Sequence, residues 1–149
     1  MRLGQIKLKT TVNSSYEEVK SAFVDKSGKL LNFLVPMGSK LVHYKGVRRG
    51  AITKIKIFGK LCTFKIATYS TSKTQLMFKD FLKDGDMFGV KFWSHVHKIK
   101  SLSKNKSIII DEVTFTTRSK KKDFLLHVLF LTSFVIRCIK YKVFFLFRR

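Results

Sequence analysis

From residue 6 to residue 12 the chain alternates Ile6, Leu8, Thr10 and Val12 with Lys7, Lys9 and Thr11, after an opening Leu3. A period of two puts one set on each face of a strand, so positions 3 to 13 predict a half-buried first strand. Asn13-Ser14-Ser15 then offers a helix cap, with Glu17 and Glu18 in the first turn, where the helix dipole favours negative charge. The pattern predicts a short helix through Val24 and a second over Leu30 to Leu34, closed by Pro36. From Ser39 to Thr117, strand-like runs are separated by Gly46, Gly50, Gly59, Lys83-Asp84-Gly85 and Lys104-Asn105, which predicts five or six antiparallel strands. In that stretch Thr53, Ile55 and Ile57 share one face and Ile52, Lys54 and Lys56 the other, as in a sheet with one wet side.

After the basic run Arg118 to Lys122 the pattern changes: Asp123 to Arg149 contains no Gly or Pro and suits a single helix. At about 1.5 Å per residue it would be about 40 Å long. On a helical wheel Val128, Leu131, Val135, Ile139 and Leu146 form one stripe, expected to line a core or cavity, whereas Ser133, Arg137 and Lys140 mark a polar face. Leu126, Leu129, Phe144 and Phe147 flank that polar face, which is more apolar surface than one sheet can cover. The run Phe124 to Ile136, broken by His127, Thr132 and Ser133, is shorter than the roughly 18 to 20 residues that span a bilayer, so a transmembrane helix is disfavoured. The surplus beside Lys140, Lys142, Arg148 and Arg149 leaves two expectations open: docking on an anionic membrane surface, or a homodimer through this helix.

A chain of 149 residues is the size of one domain, and no repeat or linker divides it, so residues 1–149 are expected to share one core. Forty-five per cent of the residues are hydrophobic and fifteen are Phe, too much for a disordered chain. The formal charge of +22 attracts polyanions. It fits nucleic acid, an anionic membrane, or a base-composition bias with no partner behind it. Nucleic acid is disfavoured because most aromatics fall at core positions, leaving Arg48, Arg49, Lys54, Lys56 and Arg118 to Lys122 to touch phosphates without reading bases. Cys62 and Cys138 lack the spacing of a zinc site or disulfide framework, and the first residues lack a signal peptide's apolar core. A cytoplasmic location, peripheral to the membrane if the helix docks there, is the default expectation.

The chemistry concentrates in one hairpin. Trp93, His95, His97 and Ile99 share a strand face, and a turn at Lys104-Asn105 would set Asp111 opposite His97 and Phe115 opposite Trp93. A carboxylate beside an imidazole raises its pKa and fixes its tautomer, as a general acid or base for cyclisation or dehydration requires. The competing reading is structural, the histidine and Asp111 satisfying each other in the sheet. Asp80, on the same face as Phe78, joins the cluster if its strand neighbours that of Trp93. No Ser-His-Asp order, Cys-His pair, H-E-x-x-H spacing or phosphate-binding glycine loop occurs, so neither a metal nor any other cofactor is expected.

The stretches Phe78-Lys79-Asp80, Trp93-Ser94-His95-Val96-His97 and Asp111-Glu112-Val113-Thr114-Phe115 resemble the SRPBCC family, also labelled polyketide cyclase/dehydrase, whose members read F-x-D, W-x-H-x-H and D-x-V-x-Y. The likeness runs from the first strand to the closing Phe145-Leu146-Phe147-Arg148, which matches a terminal F-x-x-R. Phe115 stands where the family has Tyr, and Gly89 lacks the proline usual beside it. The resemblance implies an α+β, START-like helix-grip fold: a curved antiparallel sheet of six or seven strands around a long C-terminal helix, with two short helices after the first strand. It also implies an apolar small molecule or lipid bound between sheet and helix, oriented by Phe78, Asp80, Trp93, His95, His97, Asp111 and Phe115 and enclosed by Val128, Leu131, Val135 and Ile139. The alternative it allows is a cyclase or dehydratase using His95, His97 and Asp111.

Overall fold

The computed structural model describes residues 3–148. In chain order its elements are β1 (Gln5–Val12), α1 (Tyr16–Val24), α2 (Lys29–Leu34), β2 (Ser39–His43), β3 (Ile52–Ile57), β4 (Lys60–Thr71), β5 (Gln75–Asp84), β6 (Phe92–Ser103), β7 (Lys106–Thr116) and α3 (Lys120–Phe147). All seven strands form one antiparallel sheet in the order β1-β7-β6-β5-β4-β3-β2. The jump from β1 to the far edge is made by α1 and α2, and the rest is a meander of hairpins. The sheet curls into a half-barrel around α3, helped by bulges where β4 pairs β5, between Thr63 and Phe64 and between Ile66 and Thr68.

Local sequence accounts for most of this. Ile6, Thr10 and Val12 are buried on the inner face of β1 while its lysines face outward. A capping box starts α1: Ser15 Oγ accepts from the Glu18 amide, and Glu18 Oε2 accepts from the Ser15 amide at 2.8 Å. At the β5 end, Gly85 has φ +106°, and a Cβ there would meet the Leu61 carbonyl oxygen and lie 2.8 Å from Cys62 Cα. Only glycine permits that close approach of two backbones.

One expectation about the terminal helix is corrected. Val128, Val135, Ile139 and Leu146, predicted to face inward, are 51%, 46%, 57% and 60% exposed, and Leu131 is half-buried at the margin. The buried stripe is instead Leu126, Phe130, Phe134, Tyr141 and Phe145, running at intervals of four with Arg137 in register between Phe134 and Tyr141. Two apolar stripes of similar strength lie on this helix, and the sheet selects the one richer in aromatics, which offers more surface to bury. Ser133 and Arg137, read as an outer polar face, point into the protein. A second correction concerns length: taken as a whole, α3 is long and apolar enough to cross a membrane, although the strict apolar run is not.

Candidate functional site

A cavity of about 240 Å³ lies between the inner face of the sheet and α3. Ile55 of β3, Phe64 and Ile66 of β4, Phe78 of β5 and Phe130 and Phe134 of α3 supply apolar walls, with Leu30 and Leu34 of α2 closing one side. The exposed side chains of Met37 and Phe58 also border it. One wall is polar, formed by Asp80, His95, His97, Ser133 and Arg137.

The strand register builds that wall. On β6 and β7, Trp93 pairs Phe115 and His97 pairs Asp111, while β5 sets Asp80 opposite His95. The side chains bond diagonally across these pairs: His95 Nε2 meets Asp111 Oδ1 at 2.8 Å, and His97 Nε2 meets Asp80 Oδ2 at 2.9 Å. The two imidazoles lie 3.6 Å apart between centroids, Phe78 stacks on His97 at 4.2 Å, and the Phe134 edge meets His95 at 5.0 Å. His97 Nδ1 stands 3.4 Å from Asp111 Oδ1 but is too poorly aligned to bond it, and so is buried without a partner.

Arg137 reaches the same cluster from α3. Its Nε donates to Tyr141 Oη at 2.9 Å and lies 3.9 Å from Asp111 Oδ1, and the guanidinium stands over the Phe134 and Tyr141 rings. Among the described residues its terminal nitrogens have no hydrogen-bond acceptor.

Of the residues singled out in the sequence, Phe78, Asp80, Trp93, His95 and His97 line the cavity, whereas Asp111 and Phe115 do not. Asp111 is 2% exposed behind the histidines, and Phe115 packs against Phe130 in the neighbouring part of the core. None of Val128, Leu131, Val135 and Ile139 lines the cavity; Leu129, Phe130, Ser133, Phe134 and Arg137 do. The aromatic stripe through Phe130, Phe134 and Tyr141, at helical spacings of four and seven, was the signal that places Arg137 inside.

Burial separates the two histidines. Desolvation, helped by the neighbouring His97, pushes His95 down from 6.5 to about 4, so His95 is neutral. Burial also opposes charge on His97, but the Asp111 and Asp80 carboxylates outweigh it and leave its pKa raised. Asp111 is held well below 3.8: burial opposes this, but Arg137 and the two imidazoles overcome it. Asp80, His95 and His97 also bring potential ligand atoms within 4.8 Å of one another. Each is already hydrogen-bonded, and Arg137 sets a fixed positive charge beside Asp111, so the arrangement suits a shared proton better than a divalent cation.

The signs predict a pH profile. Because His95 titrates lower in the folded chain, its contribution is present above 6.5 and is lost as pH falls towards about 4. Because His97 titrates higher when folded, its contribution is present below 6.5 and is lost as pH rises through its raised pKa. Urea midpoints for His97→Gln minus wild type should therefore shrink in magnitude as pH rises above neutrality. A difference that is flat from pH 5 to 9 would show that His97 carries no linked proton.

No family profile and no curated protein matches the chain. Solved structures do. XoxI from Bacillus cereus aligns at TM-score 0.72 and 13% identity, covering 97% of this chain and 96% of that one. Norcoclaurine synthase from Thalictrum flavum, in complex with dopamine and hydroxybenzaldehyde, aligns at 0.64 and 13% over 92% and 84%. A major latex-like protein from Panax ginseng aligns at 0.58 and 14% over 93% and 95%. With its curled seven-stranded sheet closed on a long C-terminal helix, the chain has the helix-grip fold of the SRPBCC, START-like and birch-pollen-allergen-like proteins.

Proposed function

We propose that this protein binds a small apolar molecule in the cavity between the sheet and α3. The observation that carries the reading is a mostly apolar cavity with a polar cluster of Asp80, His95, His97, Ser133 and Arg137 on one wall, the usual build of a ligand site. At about 240 Å³ it is smaller than the roughly 300–1,000 Å³ of drug-sized sites, which favours one short chain or ring over a two-chain lipid. The complex of norcoclaurine synthase with dopamine and hydroxybenzaldehyde supports small aromatic molecules as occupants of this fold. Native mass spectrometry of protein purified from cells should detect a small adduct, recovered by organic extraction. Ile66→Trp, which fills the cavity, should lose it. An adduct that persists in Ile66→Trp, or none in wild type together with no uptake of short fatty acids or aromatic aldehydes, would end the reading.

A second reading concerns the outer face of α3 and rests on a separate observation. Phe124, Leu125, Val128, Ile136, Ile139 and Phe147 are among a run of exposed apolar residues along the whole helix, on a chain of net charge +22. Soluble monomers rarely leave so long an apolar face bare. Apolar surface with basic residues around it is the combination that docks on an anionic bilayer, with the grease in the acyl boundary and the lysines at the headgroups.

A further inference from the structure

The ligand cavity contains a charge that the protein leaves incompletely paired. Arg137 sits on the buried face of α3, its side chain 13% exposed, with the nearest carboxylate oxygen 3.9 Å from Nε. That is the limit of an ion pair, and Nε itself is used on the Tyr141 hydroxyl. Asp111 Oδ1 is bonded to His95 and Asp80 Oδ2 to His97, so neither oxygen is given over to the guanidinium. A guanidinium carries five N–H donors in a planar fork, and a buried charge without acceptors is costly. Aromatic rings cover part of it, the Phe134 centroid at 5.6 Å and the Tyr141 centroid at 5.3 Å, but neither accepts a strong hydrogen bond. Arg137 therefore brings its remaining donors to the polar wall of a cavity that is apolar over most of its lining.

We infer that the ligand is an amphiphilic acid, its carboxylate held by the terminal nitrogens of Arg137 and its hydrocarbon part lying among Ile55, Phe64, Ile66 and Phe130. This rests on the cavity reading above and names its ligand class. The planar fork matches a carboxylate with two parallel hydrogen bonds. His97, between two carboxylates and inclined to keep its proton, offsets part of the negative charge of Asp80 and Asp111 that would otherwise repel the acid. Burial from water strengthens the contact, while the remote chain supplies apolar contact area.

The test compares decanoic acid with decanol and methyl decanoate, which share its chain but not its charge. Trp93 is the protein's one tryptophan and lines the cavity, so its fluorescence reports occupancy, with calorimetry for stoichiometry. High salt screens the surface lysines. Wild type should bind one decanoate at least about tenfold more tightly than decanol, and Arg137→Met should remove that preference while still binding decanol. Equal affinity of acid and alcohol in wild type overturns the inference and leaves the cavity reading standing. An acid preference that survives Arg137→Met also overturns it, assigning the preference to the basic surface. If no probe changes the Trp93 signal or releases heat, the cavity reading falls and this inference with it. Should Arg137→Met fail to fold, the side-chain nitrogen NMR signal of Arg137 in wild type decides: decanoate must shift it and decanol must not.

Discussion

Asp111→Ala is expected to destabilise the protein by about 3–5 kcal/mol, the usual cost of removing one partner from a buried charge network. For a domain of this size that lowers Tm by about 10–15 °C. Asp111 is 2% exposed, accepts from His95, and is the nearest carboxylate to Arg137, so its loss leaves the His95 imidazole without its partner and the guanidinium without its counter-charge, while His97 keeps Asp80. Asp111→Asn keeps an acceptor and should cost less. In the double variant Asp111→Ala with Arg137→Met, both the carboxylate and its stranded cation are gone, so the total should be smaller than the sum of the single costs. Thermal unfolding by circular dichroism measures wild type, the three single variants and the double variant. A loss below about 1 kcal/mol for Asp111→Ala, or strict additivity in the double variant, would show that these groups do not form one network.

The two faces of α3 are expected to respond oppositely. Phe134 is 7% exposed between His95, Trp93 and the Arg137 guanidinium, and Phe134→Ala should cost about 3–5 kcal/mol through the cavity it leaves. Val135→Ser and Ile139→Ser, on the exposed side, should each change stability by no more than about 0.5 kcal/mol. Combined with Phe147→Ser, they should nevertheless abolish cosedimentation with vesicles containing phosphatidylserine, which wild type should show and high salt should weaken. Vesicles of phosphatidylcholine alone should bind poorly. A wild type that ignores anionic vesicles but sediments as a dimer, dissociated by the triple variant, would assign the outer face to a second copy. If Val135→Ser proved as costly as Phe134→Ala, the rotation of α3 described above would be wrong.

How much of this was legible beforehand differs by element. Strand β1, the cap at Ser15, both short helices and the β6–β7 hairpin were all readable because local rules decide them: alternation, capping chemistry and turn residues. The turn at Lys104-Asn105 pairs β6 with β7, but the register that sets His97 against Asp111 and Trp93 against Phe115 also needs the irregularity between Ser101 and Ser103, which shifts the ladder by one residue. The resemblance carried by Trp93-Ser94-His95-Val96-His97 and Asp111 led to the right fold for the same reason, its motifs lying on strands whose pairing the turns specify.

The rotation of α3 was not legible. Both Val128-Val135-Ile139 and Phe130-Phe134-Tyr141 satisfy helical spacing, and a wheel cannot say which face a sheet will take. The choice depends on the shape of the curled sheet and on the counter-charge that Asp111 offers Arg137, neither of which is local. It reversed the roles of the two faces, turning a residue read as solvent-facing into the charged group of the cavity wall. The sequence by itself therefore determined the elements, their order and the hairpin that brings the His97 and Asp111 strands together, because these depend on neighbours along the chain. Only the tertiary structure decided the inner face of α3 and the diagonal bonds of His95 to Asp111 and His97 to Asp80, because these depend on which distant surfaces can bury their charge and grease together.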